Sequence, residues 1–273
     1  MNPYNMNEIA EQMDILFMTL DTLRYDVAER LFQAGQTPNF AQCFPQGWQK
    51  CHAPGSFTFA SHQAFFAGFL PTPATGSRHP RLFAANFAGS ETTTAQTLVF
   101  DTPDIVSGFR QKGHKTVCIG GVGFFNKKTA LGRVLPDLFE ESYWTEQYSV
   151  TEKQSTSHQF EKAADIIAAA KQQALFLFIN VSALHQPNWF YGDDEAKQDS
   201  LETHAAALKY VDAQVPTLFS ALQSKRDTFC VICSDHGTAY GEDGFWGHRL
   251  AHPTVWEVPM ATFILRACSK KIT

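Results

Sequence analysis

The chain has 273 residues, 44% of them hydrophobic, enough apolar material for one large α/β domain or two small ones. Its 22 basic and 27 acidic residues leave a net charge of −5 with no block of like charge, which argues against a nucleic-acid footprint or a polybasic membrane patch. No apolar run is long enough to span a bilayer, and the polar start lacks the basic and apolar stretches of a signal peptide; a cytoplasmic protein without nucleic-acid or membrane partners is expected.

In chain order, the first strand candidate is Asp14–Leu20, which runs directly into Asp21-Thr22-Leu23-Arg24. Arg24 reads as a structural ion-pair partner for Asp26 or another nearby carboxylate. Cys43 and Cys51 would pair only in an oxidising compartment, for which nothing else argues. The segment Thr58-Phe-Ala-Ser61-His62 opens an apolar stretch that ends near Gly68. A Thr hydroxyl at a helix start lies in the positive field of the helix N-terminus. There it is read either as a nucleophile or, with Ser56, as a simple helix cap. A loop rich in Pro, Gly, Thr and Arg is expected over 71–89.

Further strands are expected at Thr116–Gly120, Leu175–Val181, Thr228–Cys233 and Met260–Leu265. Most of the five are continuously apolar, the pattern of a parallel sheet buried on both faces. Helices are expected over His158–Gln173, with a stripe of Phe160, Ala164, Ile167 and Ala168, and over Leu201–Leu222, where Pro216 should kink or restart the helix. The alternation predicts an α/β fold: a largely parallel central sheet with helices on both faces, in one domain over residues 1–273. Gly120-Gly-Val-Gly123 lacks dinucleotide-binding spacing, and no phosphate-binding P-loop occurs. Cys230 and Cys233 form a CxxC, but strand alternation sends them to opposite faces, away from a zinc or redox role.

The most informative feature is Ser234-Asp235-His236-Gly237, directly behind the strand at Thr228–Cys233. Adjacent Asp and His bring an oxygen and a nitrogen ligand to the carboxyl edge of a sheet, where open α/β sheets place their ligands. Asp21 stands at a second such edge. Either Asp alone reads equally well as a cap for the turn behind it. Together with His236 they read as a metal site. His185, in Ala183-Leu-His185-Gln-Pro187, follows a third strand of the same sheet.

These pieces, in order, resemble a sulfatase-type member of the alkaline phosphatase superfamily, over nearly the whole chain. Asp21-Thr-Leu-Arg24 resembles the family's opening metal-binding segment, and Thr37-Pro-Asn-Phe40 its Thr-Pro-Asn-Leu. Thr58–His62 resembles the nucleophile motif Thr-x-Pro-Ser-His, with Gly68 at the place of the family's helix-closing glycine. Tyr210-Val-Asp212, Ser234–Gly237, Trp246-Gly-His248 and Glu257-Val-Pro259 resemble later family segments. Three departures stand out. Thr58 cannot become formylglycine, which argues against the sulfatase route to sulfate esters. Thr22 stands where the family has a second carboxylate. The family's large C-terminal subdomain is missing, leaving a minimal core.

The resemblance therefore implies a metal-dependent hydrolase of a phosphate ester, phosphodiester or phosphonate with Thr58 as nucleophile. The alternatives are a phosphoglycerol- or phosphoethanolamine-type transferase and a degenerate core that only binds an anion or a partner. Asp21, Asp235, His236 and the Thr58 hydroxyl would hold a divalent cation, Mn, Zn or Mg. His185 would touch the substrate anion. His248 would contact the anion or a second ion, ahead of His252, and His62 would steady the nucleophile. The partner implied is a small anionic ester; the oligomeric state stays open. The remaining histidines, His52, His79, His114, His158 and His204, are read as ordinary.

Overall fold

The computed structural model describes residues 4–68, 104–193 and 197–268, together with two short parallel strands, Phe83–Ala84 and Leu98–Val99. Apart from Phe83–Ala84, the loop expected over 71–89 lies outside the described residues, as does His79.

Seven strands form the central sheet: β1 (Asp14–Leu20), β2 (Gln49–His52), β3 (Lys115–Ile119), β4 (Glu141–Tyr143), β5 (Leu175–Val181), β6 (Thr228–Cys233) and β7 (Glu257–Leu265). Their order is β2-β7-β6-β1-β5-β3-β4. From β6 through β4 all neighbours are parallel, while β7 runs antiparallel to β6 and β2 antiparallel to β7. All five expected strands are present. The last begins at Glu257, ahead of the expected Met260, and its burial mostly alternates, as an antiparallel strand near an edge does. The short edge strands β2 and β4 escaped the sequence reading because they are too brief and too polar for a periodic signal.

The strand interiors divide cleanly between two layers. Leu16, Met18 and Leu20 of β1 join Leu177 and Ile179 of β5 in a mainly aliphatic layer. Ile15 and Phe17 join Phe176 and Phe178 in an aromatic layer on the opposite face. Cys230 lies in the first layer and Cys233 in the second, and all six cysteines are free thiols.

The aliphatic face is covered by α2 (Tyr25–Gln33), α3 (Pro38–Cys43), α7 (Ser155–Ala170) and α8 (Leu201–Gln223). Helices α1 (Met6–Gln12), α4 (Thr58–Ala67) and α5 (Ile105–Gln111) contribute to the aromatic face. Two short helices, α6 (Ala130–Val134) and α9 (Pro253–Trp256), sit in the connections. Helix α7 starts three residues before the expected His158, and its buried stripe is Phe160, Ala163, Ile166, Ile167 and Ala170. Ala168, expected inside, is exposed because the stripe runs one residue out of the expected phase.

Helix α8 runs through Pro216 as one 23-residue helix, so the expected restart does not occur. Pro216 has no N–H, so the Asp212 carbonyl four residues earlier loses its partner within the helix. The Asn39 side chain supplies one, donating from Nδ2 to that carbonyl at 3.0 Å. In return the Asp212 carboxylate accepts the Asn39 N–H (3.2 Å) and the Phe40 N–H (2.8 Å), two of the unpaired donors at the start of α3. Helix α3 has no side-chain cap of its own, so Asp212 acts as its cap from a distant helix.

This exchange is testable. Asn39→Ala should cost about 1–3 kcal/mol in urea unfolding, because it strands a buried carbonyl. The loss should shrink in a Pro216→Ala background, where residue 216 regains its N–H. An equal loss in both backgrounds would show that the carbonyl is not what Asn39 serves.

Candidate active site

The parallel register builds the site. Thr19 of β1 pairs with Cys233 of β6, so the residues two further on, Asp21 and Asp235, emerge level with each other at the carboxyl edge. His236 follows at once, and Asp21, Asp235 and His236 are all 0% exposed. The backbone at Thr22 turns through the left-handed region at φ 66°. Its N–H donates to Asp235 Oδ1 at 3.3 Å and its hydroxyl to the Leu184 carbonyl at 3.0 Å. Where the sequence reading noted a missing carboxylate, Thr22 is thus a brace. Arg24, as expected, is engaged structurally, with both carboxylate oxygens of Asp26 (2.9 and 2.6 Å) and with Glu242.

On the other side, Gly237 lets the chain pass Thr254. A Cβ at Gly237 would sit 2.0 Å from the Thr254 carbonyl oxygen, too close for any side chain. His236 Nδ1 faces the Gly237 carbonyl at 2.9 Å. That contact places the ring proton on Nδ1 and leaves the Nε2 lone pair facing inward. Nε2 is 3.7 Å from Asp21 Oδ1 and 3.5 Å from Asp235 Oδ2.

Thr58 is the first residue of α4, entered from an extended Phe57, and the helix closes at Gly68 in the left-handed conformation. The Thr58 hydroxyl donates to Asp21 Oδ2 at 3.3 Å and lies 3.3 Å from His236 Nε2. Asp21 Oδ2 also accepts from Asn180 Nδ2 at 2.9 Å. Sequence reasoning missed Asn180. Its signal was one amide inside the otherwise apolar run of β5.

The cluster fits a divalent cation. Asp21, Asp235 and His236 each offer a ligand atom within 4.8 Å of the others. Asp21 Oδ1 and Asp235 Oδ2 are buried without any hydrogen-bond partner. Burial first, then the neighbouring Asp235 charge, pushes the Asp21 carboxyl up to about 6. Burial pushes the Asp235 carboxyl up to about 7. Burial lowers His236, which favours the neutral imidazole that a metal needs.

The expected histidines divide. His185 and His248 face the site: their rings are 5.4 Å apart, the His248 ring is 4.6 Å from that of His236, and both line a cavity with Thr58. Burial, then His236, pushes His248 down to about 3. His252 lies apart, 3.0 Å from Asp243 through Nε2 and capping α9. His62 does not reach the Thr58 hydroxyl. Its Nδ1 meets the Thr58 carbonyl at 2.7 Å and its Nε2 the Thr19 hydroxyl at 3.1 Å. Packed edge-on to Phe65, Phe125 and Phe178 and pushed by burial down to about 3, it is a neutral prop beneath Thr58. Phe124 lines the cavity, whereas Phe125 is buried in the aromatic layer.

Residues 21–262, from the first metal-ligand candidate to the last strand, match the sulfatase family. The chain belongs to that family. No curated protein sequence matches it. Its fold is that of the alkaline phosphatase superfamily. The soluble domain of lipooligosaccharide phosphoethanolamine transferase A from Neisseria meningitidis superposes with a TM-score of 0.64 at 14% identity, over 94% of this chain and 77% of that one. The periplasmic domain of EcEptC from Escherichia coli, in complex with Zn, gives 0.62 at 13% identity, over 95% and 74%. The lipoteichoic acid synthase LtaP from Listeria monocytogenes gives 0.63 at 11% identity, over 96% and 67%. At these identities the likeness is one of fold. Among the described residues of this sulfatase-family chain, no helix is long and apolar enough to cross a membrane.

The raised carboxyls give a stability prediction. A carboxyl whose folded pKa is raised favours folding while protonated and opposes it once charged. Asp235 therefore exacts a penalty that grows as pH climbs from about 4 through about 7. The metal-free Asp235→Asn protein should be more stable than the metal-free parent at about pH 8, by on the order of 2 kcal/mol, with the gap closing by about pH 5. Manganese should raise the melting temperature of the parent and not of the variant. A variant that is no more stable at the higher pH, or that keeps the full metal response, contradicts this picture.

Proposed function

We propose that this chain is a metal-dependent enzyme that transfers a phosphoryl or phosphonyl group through a covalent intermediate on Thr58 and hydrolyses that intermediate with water. One observation carries the reading. The Thr58 hydroxyl, at the N-terminus of α4, is hydrogen-bonded to Asp21 and adjoins His236, two members of the buried donor cluster.

Asp21, Asp235, His236 and the Thr58 hydroxyl would hold the cation. Mixed carboxylate and imidazole donors suit Mn, Zn or Mg. A divalent ion there offsets the two buried carboxylates, lowers the pKa of the hydroxyl and counters charge building up at phosphorus. The residues of the chain do the rest. Asp21 Oδ2 accepts the Thr58 proton along their hydrogen bond, while Asn180 holds that carboxylate in place. Thr58 Oγ attacks phosphorus, forming an O–P bond as the bond to the ester oxygen breaks. The ester oxygen leaves as an alcohol, taking up a proton from solvent at the open side of the cavity lined by His185 and His248. Water then attacks phosphorus and releases a proton to solvent, the bond to Thr58 breaks, and the Thr58 oxygen takes back the proton held by Asp21. The partner in this reading is a small anionic ester. The cytoplasm is the proposed compartment, supported by six unpaired cysteines.

A second reading is transfer of the group to an alcohol or amine acceptor. The solved neighbours that are phosphoethanolamine transferases and a lipoteichoic acid synthase support it. A protein that only binds an anion ranks below both, since the nucleophile and all three ligand candidates stand together.

The test is turnover by protein stripped and reloaded with Mn²⁺, Zn²⁺ or Mg²⁺. The panel is p-nitrophenyl phosphate, its diester, a phosphonate monoester and the sulfate. Metal-dependent release from phosphorus esters is expected, falling at least about 10³-fold in Thr58→Ala with the melting profile kept. Sulfate should be the poorest substrate. Full activity in Thr58→Ala would end the covalent reading, and donor consumption that speeds up with an added alcohol or amine would favour the transferase.

A further inference from the structure

A cavity of about 250 Å³ opens beside Thr58. One wall is apolar, made by Val122, Phe124, Leu131 and Val150. Arg249 also lines the cavity and is, among the described lining residues, the one with a permanent positive charge.

Three observations show that Arg249 is held in place. Its backbone occupies the left-handed region at φ 72°, a conformation that a side-chain-bearing residue keeps only when its surroundings enforce it. Its N–H donates to the Ser56 carbonyl at 2.8 Å, tying this turn to the loop two residues before the nucleophile. Its guanidinium carbon lies 5.6 Å from the centre of the Phe57 ring. The charge is also uncommitted: among the described residues no carboxylate pairs with Arg249, whereas Arg24 is engaged by Asp26 and Glu242.

Charge counting then narrows the ligand. Two carboxylates and one divalent cation sum to zero, and Arg249 leaves one positive unit beside the nucleophile. We propose that Arg249 is the specificity-determining residue of this pocket, and that the pocket selects singly charged phosphorus esters, a phosphodiester or phosphonate monoester bearing one compact apolar group, over doubly charged monoesters. The apolar part of the lining takes the substituent, and a cavity of about 250 Å³ suits a compact one. The inference rests on the reading of Thr58 as the nucleophile at this site.

The experiment uses two probes with the same ring, monomethyl phenylphosphonate with one charge and phenylphosphonate with two. Binding to manganese-loaded Thr58→Ala protein is measured by calorimetry at about pH 8.5, where phenylphosphonate carries both charges. The singly charged probe should bind roughly tenfold tighter, and replacing Arg249 with Gln should remove roughly tenfold of its affinity, the worth of one charge-assisted contact. Arg249→Lys should fall between the two, and all variants should keep their melting temperature. Tighter binding of the doubly charged probe, or unchanged affinity in Arg249→Gln, overturns the proposal. Turnover by protein with Thr58 intact separates the two claims. Phosphorus-ester turnover that ignores Arg249 removes this inference and leaves the proposed function standing. Arg249-dependent selective binding without turnover of any phosphorus ester does the reverse.

Discussion

Two carboxylates share a place that water does not reach, and the rest of the site answers to that constraint. Asp21 and Asp235 are fully buried, with ligand atoms within 4.8 Å of each other. At that separation two like charges repel by about 3.5 kcal/mol at an effective dielectric constant of about 20. The available dipoles are weaker. A helix N-terminus contributes about 0.3–1 kcal/mol, and the Thr22 N–H and the Asn180 amide each satisfy one oxygen. One oxygen on each carboxylate stays unpartnered. Local dipoles alone do not offset the repulsion, and only a proton or a cation does. The raised carboxyls and the fit to a divalent ion are two expressions of the same electrostatic conflict.

The surrounding layers hold that conflict in register. Residues beyond the ends of β1 and β6 inherit their level from backbone pairing, so the two aspartates cannot drift apart without breaking the sheet. Thr58 comes from a helix on the aromatic face, with His62 linking the Thr58 carbonyl to the Thr19 hydroxyl of β1. His62 lies among Phe65, Phe66, Phe125 and Phe178, rigid rings with few ways to rearrange. On the opposite face, Asp212 and Asn39 lock α8 to α3 by exchanging hydrogen bonds.

Much of this was legible in the sequence, for identifiable reasons. Continuous apolar runs marked the central strands because both their faces are buried. Asp21 and Asp235–His236 stood out because polar residues directly behind such runs must emerge at the carboxyl edge. Other features depend on contacts between distant segments. Asn180 reads as a lone polar residue until Asp21 is seen 2.9 Å away. Pro216 reads as a helix breaker because the rule assumes that the freed carbonyl has no substitute partner, and Asn39, far away in the chain, provides one. Arg249 carried no signal, since its meaning lies in a backbone angle and in having no carboxylate partner among the described residues.

The two strands that the sequence hid bear on how copies of this chain meet. In an open sheet each outermost strand carries unpaired backbone donors and acceptors, a template on which another chain can add a strand. Among the described residues those positions fall to β2, four residues long, and β4, three residues long. Lys50 of β2 pairs with Glu257 at the surface, and Glu141 of β4 pairs with Lys115. A strand docking from outside would have to displace or bury these charges for the sake of three or four residues of ladder. The long, apolar strands that would template aggregation are kept in the middle of the sheet, and its borders are made poor places to polymerise.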